Sequence, residues 1–250
     1  MDTKKKIVII GATSAMARHC ARLWAQGHSV DLTLVGRDRS RLERVAADLR
    51  VRSPQSGIQV EQAEFLDPAG IQEAADRIVA RGAPDIVLIA HGSLPDQRDC
   101  QEHLTACRDA LELNGISPVL YAEAFAGHMT QAGHGTLALI GSVAGDRGRR
   151  SNYVYGSAKG LVTRYAQGLQ HRFAGTAVKI VLIKPGPTDT PMTAHLKNAG
   201  AKLAAVEDVA QKIVAAVERG SAVAYVPAKW QLIMMVIRHL PQFVFARLNI

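Results

Sequence analysis

The stretch Lys6-Ile-Val-Ile-Ile-Gly-Ala-Thr-Ser-Ala-Met-Ala17 decides the fold of this chain. It opens with a short apolar run that is typical of a buried strand, and Gly11 marks a tight turn at the end of that run. A stretch of helical composition follows the turn. A strand that passes through a glycine turn straight into a helix indicates the opening of a βαβ unit.

The same alternation of short apolar runs and amphipathic stretches of helical length continues along the chain. We predict strands at residues 6–10, 32–35, 59–63, 86–91, 136–141, 179–183 and 222–226. We predict helices at residues 15–26, 40–51, 68–80, 102–132, 153–173 and 206–219. About seven strands joined by crossover helices predict a doubly wound parallel sheet of the Rossmann type, in a three-layer α/β/α arrangement.

The length of the chain suits one such domain. It has 250 residues, and no linker, repeat or low-complexity stretch divides it. We therefore predict a single domain over residues 1–228, followed by an apolar helical tail over residues 229–250.

Charge and cysteine content narrow the classes of function. The net charge is +8, but Lys and Arg are scattered and no basic, aromatic-interleaved module occurs, so we expect no nucleic acid partner. Cys20, Cys100 and Cys107 lack metal-ligand spacing, so we expect no metal and a reducing, cytoplasmic location. The apolar run at residues 7–10 is too short for the core of a signal peptide, and no apolar run reaches the length of a membrane span.

Residues able to bind a ligand follow the ends of the predicted strands. In a doubly wound sheet, ligands bind beyond the carboxyl ends of the strands, at the switch in strand order. The turn after the first strand offers free helix amides to a pyrophosphate, although Ala15 and Ala17 stand where such loops usually have glycine. A tight turn without a ligand is the alternative. The predicted nucleotide contacts along this edge are Gly11, Thr13, Ser14, Ala15, Met16, Ala90, His91, Gly92, Pro185 and Gly186.

The end of the second strand bears on the choice between NAD and NADP. An acidic residue there would bind the ribose 2′-hydroxyl, whereas this chain has Arg37, whose guanidinium suits a 2′-phosphate. NADP is therefore the preferred cofactor, and Asp38 keeps NAD open. After the third strand, Glu64 and Phe65 are predicted to contact adenine, although Asp67-Pro68 is also typical of a helix start.

Tyr155 and Lys159 are the candidate reactive pair, because residues four apart on a helix lie on one face. A phenol is a poor acid or base at neutral pH, since its free pKa is near ~10. An ammonium a few ångströms away is expected to favour the phenolate and so lower the pKa of Tyr155. Ser142 could then orient a carbonyl or alcohol oxygen. An ordinary surface pair on a helix is the alternative interpretation.

The order and spacing of these residues resemble the short-chain dehydrogenase/reductase family over nearly the whole chain. The matching motifs are the Gly11 loop, Leu113-Asn-Gly115, Ile140-Gly-Ser-Val-Ala-Gly145, the Tyr155/Lys159 pair and Pro185-Gly-Pro-Thr-Asp-Thr190.

The resemblance implies a role for each matching residue. Tyr155 would transfer the proton, and Lys159 would lower the pKa of that phenol and hold the nicotinamide ribose. Ser142 would position the substrate oxygen, and Asn114 would support a water-linked proton path. The nicotinamide carboxamide would contact the loop residues Thr188 and Thr190.

One departure from the family lies after the fourth strand, where the chain has Ile89-Ala-His-Gly92 in place of Asn-Asn-Ala-Gly. The change removes an asparagine that usually ties neighbouring strands together. His91 is therefore expected to make a structural or an adenosine-side contact.

A narrower resemblance covers residues 141–159 and the first glycine loop. It is to the decaprenylphosphoryl-2-keto-ribose reductases, a branch that reduces a keto sugar on a polyprenyl phosphate. It implies that Arg147, Arg149 and Arg150 pair with a substrate phosphate. A solvated loop or a subunit contact is the alternative for these arginines.

The tail is unusual in composition. After Glu218 the sequence has no carboxylate, and residues 230–250 are dense in large apolar groups. Arg238, His239 and Pro241 interrupt the stretch, so it is too short to span a bilayer. Two short helices broken at Pro241 would suit peripheral contact with a membrane surface or a channel for a lipid tail. A lid over the substrate pocket or a subunit contact is the competing interpretation.

The sequence thus predicts an NADP-dependent oxidoreductase that transfers hydride between the nicotinamide and a carbonyl or secondary alcohol, with a keto sugar on a lipid phosphate as one candidate substrate. A soluble reductase of a small carbonyl or steroid-like compound is the second hypothesis. A non-catalytic nucleotide-binding or scaffold protein is the third, which the intact Ser, Tyr and Lys set disfavours. The family resemblance also implies a homodimer or homotetramer, paired through the long helices near residues 102 and 153.

Overall fold

Within residues 4–27 and 29–248, which the computed structural model describes, seven strands form one parallel sheet. The strands are β1 (Lys5–Ile10), β2 (Val30–Gly36), β3 (Gly57–Gln62), β4 (Ile86–Ile89), β5 (Gly135–Ile140), β6 (Val178–Pro185) and β7 (Val223–Val226). They lie in the order β3-β2-β1-β4-β5-β6-β7. The predicted doubly wound sheet is confirmed.

Helices cover both faces of this sheet. They are α1 (Ala15–Gly27), α2 (Arg39–Arg52), α3 (Pro68–Val79), α4 (Gln97–Glu102), α5 (Leu104–Leu111), α6 (Ser117–Ala132), α7 (Tyr153–Arg172), α8 (Ala194–Asn198), α9 (Val206–Arg219), α10 (Lys229–His239) and α11 (Gln242–Phe245). A π turn at Glu112–Ile116 and two 3₁₀ turns, at Val143–Gly145 and Pro191–Thr193, complete the helical segments of the described ranges.

The helix predicted over residues 102–132 is confirmed from Leu104 to Ala132, but it begins two residues later than predicted and contains a π turn. The backbone of His103 is extended, with φ −129° and ψ 108°, and separates α4 from α5. The π turn then joins α5 to α6. Pro118 has no N–H for the carbonyl of Asn114, four residues earlier, and its ring crowds that carbonyl, so the helix widens there.

The core lies on both sides of the sheet, and β1 runs through its centre. Ile7 and Ile9 pack with residues of α1, α2 and α9, whereas Val8 and Ile10 pack with residues of α3, α6 and α7. The faces alternate because successive side chains of a strand point to opposite sides. All four side chains are buried, which fixes the position of the turn that follows β1.

Gly11 occupies the switch in strand order, which falls between β1 and β4. Its backbone has φ +81°, a left-handed conformation that favours glycine. A Cβ at this position would lie 2.6 Å from the backbone nitrogen of His91, which follows β4. The two strand ends therefore approach too closely for any side chain at position 11.

The tail consists of two short helices, α10 and α11, with Pro241 between them, as the sequence predicts. Trp230 packs against the backbone of Gly186, and Met234 is buried. In the described part of the chain, no helix is long and apolar enough to cross a bilayer. The domain boundary at residue 228 stays a prediction. Large apolar side chains remain exposed on the tail: Leu232, Ile233, Met235, Val236, Phe243 and Leu248.

We expect the Gly11→Ala substitution to lower the free energy of unfolding by about 2 kcal/mol or more, because it combines left-handed strain with a collision at His91. Urea denaturation followed by circular dichroism measures the loss. Gly27→Ala is the matched control, since nothing lies within 4 Å of a Cβ placed there. Equal stability of the two variants would contradict the close approach of the strand ends.

Candidate active site

A cleft opens at the carboxyl ends of β1, β4, β5 and β6, over the switch in strand order. The predicted site residues that line it are Met16, Ala90, His91, Gly92, Asn114, Ser142, Arg149, Tyr155, Lys159, Pro185, Gly186, Thr188 and Thr190. The predicted site residues that do not line it are Gly11, Thr13, Ser14, Ala15, Arg37, Glu64, Phe65, Arg147 and Arg150. The structure thus brings the four residues that were expected to be catalytic into one cleft.

Lys159 is a buried cation at the centre of this cleft. Its ammonium donates a hydrogen bond to the backbone carbonyl of Ile140 at 3.0 Å, and the residue is 3% exposed. Among the residues described, no carboxylate acts on it. Burial lowers the pKa of Lys159 to about 8, because water no longer solvates the charged form.

Tyr155 and Ser142 present hydroxyl groups beside this cation. The Ser142 hydroxyl faces the phenol closely enough to act on its pKa, and the Lys159 nitrogen lies 5.9 Å from the centroid of the Tyr155 ring. Burial raises the pKa of Tyr155, and the Ser142 hydroxyl opposes that rise. The expected lowering of this pKa by Lys159 is therefore wrong, because desolvation of the phenolate outweighs the other effects. At neutral pH the phenol is held in its protonated form.

The turn that carries Ser142 is fixed from two sides. The Ser142 hydroxyl oxygen accepts a hydrogen bond from the backbone N–H of Ala144 at 3.1 Å. Asp146, at the end of the same turn, forms a buried ion pair with Lys184 of β6 and accepts a hydrogen bond from the Tyr225 hydroxyl at 2.6 Å. Burial, followed by the bond to Asp146, raises the pKa of Tyr225 to about 12. No sequence pattern predicts this network, which ties the Ser142 turn to β6 and β7.

Asn114 lies fully buried in the π turn. Its amide nitrogen donates to the carbonyl of Ala110 at 2.9 Å, and its amide oxygen accepts from the backbone N–H of Ser93 at 2.8 Å. Gly92 has φ +151°, and a Cβ there would lie 2.8 Å from the same amide oxygen. Asn114 therefore holds the loop after β4 in place. Its part in a proton path stays a prediction.

The turn from β1 into α1 is held by hydrogen bonds to β2 and by a side-chain cap. The N–H groups of Gly11 and Ala12 both donate to the carbonyl of Val35, at 2.9 and 3.1 Å. The Ser14 hydroxyl accepts from the N–H of Ala17 at 3.2 Å and so caps the start of α1. The amino end of α1 reaches the cleft edge, where its second residue, Met16, lines the wall.

Arg37 and Asp38, at the end of β2, have different surroundings. The guanidinium of Arg37 lies 5.6 Å from the centroid of the Phe65 ring. The carboxylate of Asp38 accepts from the N–H of Arg41 at 3.0 Å and from the Ser40 hydroxyl at 2.8 Å, and these bonds lower the pKa of Asp38. Asp38 is therefore engaged in capping α2, which favours Arg37 as the residue available to a nucleotide.

His91 is a buried, neutral imidazole. Its Nε2 shares a hydrogen bond with the Ser117 hydroxyl at 2.8 Å, and its ring centroid lies 4.5 Å from that of Phe65. Burial, together with the charges of Lys159 and Arg37, lowers the pKa of His91 to about 3. Its Nδ1 is buried without a partner among the described atoms. The bond to Ser117 accounts for a structural role, and the adenosine-side contact stays a prediction.

The segment after β3 makes two structural hydrogen bonds. The backbone carbonyl of Glu64 accepts a hydrogen bond from the buried Tyr121 hydroxyl at 3.0 Å. Asp67 caps α3 by accepting from the N–H of Gly70 at 2.9 Å, so the helix start at Asp67-Pro68 is confirmed. The adenine contacts of Glu64 and Phe65 stay predictions.

Thr193, which the sequence analysis did not single out, organises the loop after β6. Its hydroxyl donates to the carbonyl of Thr188 and accepts from the N–H of Thr190 at 3.2 Å. It also lines the cleft. The available signal was the pair of threonines three residues apart around Pro191, which is typical of a capped helical turn.

The three predicted substrate arginines differ in their surroundings. Arg147 donates to the carbonyls of Ile237 and Leu240, at 2.5 and 2.7 Å, and thereby caps the end of α10. Arg149 lines the cleft, whereas Arg150 does not. The tail contact of Arg147 leaves Arg149 as the arginine at the cleft wall.

These features fit a nicotinamide nucleotide. His91 and Lys159 both line the cleft. The Nδ1 of buried His91, which has no partner among the described atoms, can accept a hydrogen bond from a ribose hydroxyl, and the buried ammonium of Lys159 can donate one. The amino end of α1 offers backbone amides to phosphate. Within the described ranges, no group of His, Cys, Asp and Glu side chains is arranged to hold a metal ion.

A family model described as short chain dehydrogenase matches residues 5–201. This chain belongs to the short-chain dehydrogenase family. The resemblance read from the motifs is thereby confirmed, and the branch within the family stays a prediction.

Proteins similar to this dehydrogenase align with it over almost its whole length. It is 33% identical over 249 residues to an uncharacterized oxidoreductase of Streptomyces coelicolor, across 98% of this chain and 96% of that protein. A short-chain dehydrogenase from Sphingobium yanoikuyae in complex with NADPH superposes with a TM-score of 0.80 at 24% identity, covering 95% and 97% of the two chains. A variant actinorhodin polyketide ketoreductase with NADPH superposes with a TM-score of 0.80 at 18% identity, covering 90% and 97%. At these identities the two structures show a shared fold.

We expect the stability of the dehydrogenase to depend on pH through Lys159. Its pKa is about 8 in the folded chain and 10.5 for a fully solvated lysine, so the unfolded chain binds more protons between these values. Wild-type stability should therefore rise across pH 8 to 10.5, by roughly 3 kcal/mol at most. In Lys159→Met this rise should be absent, as urea denaturation at several pH values would show.

Lys212→Met, an exposed position on α9, is the matched control and should keep the wild-type pH profile. A parallel profile for wild type and Lys159→Met would show that the lysine is not desolvated.

Proposed function

We propose that this dehydrogenase is an NADPH-dependent reductase of carbonyl compounds, which also runs in reverse on secondary alcohols. One observation carries the proposal. The buried ammonium of Lys159 lacks an acidic partner among the described residues and lies beside the phenol of Tyr155, whose pKa the neighbouring Ser142 hydroxyl lowers against the effect of burial. A merely structural lysine would be paired with a carboxylate, as Lys184 is with Asp146.

Tyr155 is the proton donor in this proposal. Its phenol is protonated at neutral pH, because burial raises its pKa, and it can therefore give a proton to a substrate carbonyl oxygen. The Ser142 hydroxyl donates a second hydrogen bond to the same oxygen. Two donors at one oxygen stabilise the negative charge that develops there as the carbonyl is reduced.

Lys159 and Asn114 support this proton transfer. The ammonium offsets part of the cost of the phenolate that remains on Tyr155 after the proton has left, since opposite charges attract in a buried site, while burial still keeps the pKa of the phenol above its usual value. Asn114 keeps the loop after β4 in position through its bond to Ser93. A nicotinamide nucleotide, when bound, supplies the hydride.

NADP is the preferred nucleotide in this proposal, and NAD is the alternative. Arg37 can donate to a 2′-phosphate, while the competing carboxylate of Asp38 is engaged in capping α2. The two similar structures with NADPH support the same preference.

The expected effect of Tyr155→Phe is a loss of turnover by roughly 10²- to 10⁴-fold, because the phenol is the proton donor. NADPH affinity, measured by fluorescence titration, should stay near the wild-type value. Tyr153→Phe is the matched control on the same helix, where the side chain is 42% exposed, and should keep full activity. Wild-type turnover in Tyr155→Phe with a panel of ketones would exclude the mechanism.

For the cofactor, Arg37→Ala should weaken NADPH binding by roughly 10- to 100-fold and leave NADH binding nearly unchanged, since only NADPH carries the 2′-phosphate. Fluorescence titration with both nucleotides measures this difference. Arg44→Ala, at an exposed position of α2, serves as the control. Equal losses for the two nucleotides would contradict the role of Arg37.

Among substrates, we favour a keto sugar carried on a lipid phosphate. Arg149 at the cleft wall supplies a cation for a phosphate, and the apolar tail supplies a surface for a lipid. A small carbonyl or steroid-like compound, with the tail as a lid, is the second candidate, supported by Leu94, Met192 and Leu196 along the cleft. A non-catalytic nucleotide-binding protein is the third hypothesis, and it gives no reason for a buried cation beside the Tyr155 phenol.

The exposed tail face is proposed to contact an anionic membrane surface. Leu232 and Phe243 are 65% and 68% exposed, and three basic residues of the tail are exposed as well: Lys229 and Arg238 on α10, and Arg247 just after α11. The tail sequence has no Asp or Glu side chain to repel an anionic headgroup. Apolar side chains flanked by cations are typical of helices that lie in a membrane interface.

Flotation with vesicles of phosphatidylglycerol and phosphatidylcholine tests this contact on the full chain. Wild type should float with the anionic vesicles and remain in solution with pure phosphatidylcholine, whereas Leu232→Glu with Phe243→Glu should float with neither. Val51→Glu, at a site that is 81% exposed on α2, should behave as wild type. Failure of wild type to float with anionic vesicles would overturn the proposal.

A second copy of the chain is the proposed partner of α5 and α7, in a homodimer or homotetramer. Leu104 on α5 and Leu161 on α7 are 84% and 41% exposed, and Ile116 in the π turn is 44% exposed. Apolar side chains of this size are typical of positions that pack in a subunit interface.

A further inference from the structure

Arg149 is a half-buried cation whose charge is not balanced locally. In the described part of the chain, its side chain has no hydrogen-bond or ion-pair partner, and its Nε atom is buried. Burial lowers the pKa of Arg149, although a guanidinium remains charged at neutral pH. An unpaired cation with a buried donor destabilises the fold. Because Arg149 lies at the cleft wall, a ligand bound in the cleft can supply the missing partner.

Asn152 is a second residue of this wall with an unused polar atom. It is the N-cap residue of α7, a position at which an asparagine oxygen usually accepts a backbone N–H of the first turn. Here the Asn152 side chain makes no such bond, and its Oδ1 is buried without a partner among the described atoms.

A different side chain satisfies the start of α7. The Oε1 of Gln97, from α4, accepts the backbone N–H of Val154 at 3.0 Å. Because this bond replaces the usual cap, the oxygen of Asn152 is left available to the cleft, which that residue lines. The sequence alone would have placed Asn152 in the cap.

The two residues belong to one tight turn. The N–H of Asn152 donates to the carbonyl of Arg149 at 3.1 Å, so their backbones are held at a fixed separation. Both line the same cleft as Ser142 and Tyr155. One buried donor and one buried acceptor thus lie on the wall that also carries the proposed proton donor.

We propose that Arg149 and Asn152 form a two-point recognition site that selects carbonyl substrates bearing both an oxyanion and a hydroxyl group. Arg149 donates to the oxyanion, and Oδ1 of Asn152 accepts from the hydroxyl while Tyr155 and Ser142 hold the carbonyl oxygen. A site whose buried polar groups are paired only by the right substrate rejects analogues that lack either group. The inference rests on the proposed function and names the substrate class of the same site.

Three small ketones separate the two contacts. Dihydroxyacetone phosphate carries both groups, acetol phosphate lacks the hydroxyl, and dihydroxyacetone lacks the phosphate. Calorimetric titration of the full-length protein saturated with NADP⁺ gives a dissociation constant for each without turnover. Wild type should bind dihydroxyacetone phosphate about 10- to 100-fold more tightly than dihydroxyacetone, as expected for one charge-assisted hydrogen bond, and about tenfold more tightly than acetol phosphate.

Each variant should lose one preference and keep the other. Arg149→Met should bind dihydroxyacetone phosphate and dihydroxyacetone equally, and Asn152→Leu should no longer prefer dihydroxyacetone phosphate to acetol phosphate. Arg149→Lys, which keeps the charge, should retain part of the phosphate preference. Arg164→Met, at an exposed position of α7, is the control and should keep both preferences.

Stability provides a second measurement, because neither side chain has a partner to lose among the described residues. The Tm of Arg149→Met should equal or exceed that of wild type, as expected when an unpaired, half-buried cation is removed. Equal affinities of wild type for the three ketones, or variants that keep both preferences, would overturn the inference. Reduction of any neutral ketone by NADPH would still support the proposed function in that case.

Discussion

The hydrogen bond from Lys159 to the carbonyl of Ile140 is the contact on which the site depends. It joins the reactive face of α7 to the end of β5, where the Ser142 turn begins. An ammonium that is removed from water and held by a neutral carbonyl stays costly to keep charged, which is why burial lowers its pKa to about 8. The fold tolerates this cost because the cation is placed where a nucleotide and a developing phenolate can offset it.

A second buried lysine, Lys184, has a structural role and, unlike Lys159, is paired with a carboxylate. Lys184 lies on β6, close to the cleft, and pairs with the carboxylate of Asp146, which also accepts from Tyr225. This network fixes the far end of the Ser142 turn. Arg147, the next residue, caps α10 and lies 3.8 Å from the ring centroid of Phe245, so the turn also holds the tail. The serine, the end of β6 and the tail are therefore linked through two consecutive residues.

Sequence patterns predicted the parts of the structure that depend on local chemistry. The seven strands, the glycine turn after β1 and the two tail helices follow from runs of apolar residues and from Gly and Pro. The π turn was missed because the pattern of apolar residues is continuous across it, and the effect of Pro118 on the carbonyl of Asn114 is visible only once the helix is built. The upward pKa shift of Tyr155 was missed for a similar reason, since spacing shows a neighbouring charge and does not show desolvation. The roles of Thr193 and Asn152 follow from hydrogen bonds that form only in the folded chain. Gln97, for example, lies 57 residues before the Val154 N–H that it accepts.

A crystal structure of the full-length protein with bound NADP would show directly whether the buried cation and the phenol meet the nucleotide. We expect the Lys159 ammonium to lie within hydrogen-bond distance of a nicotinamide ribose hydroxyl. We also expect the hydroxyls of Tyr155 and Ser142 to face the C4 side of the nicotinamide, with room for a carbonyl group between. A Tyr155 hydroxyl turned away from that ring, or a Lys159 that forms an ion pair in place of a ribose contact, would contradict this expectation.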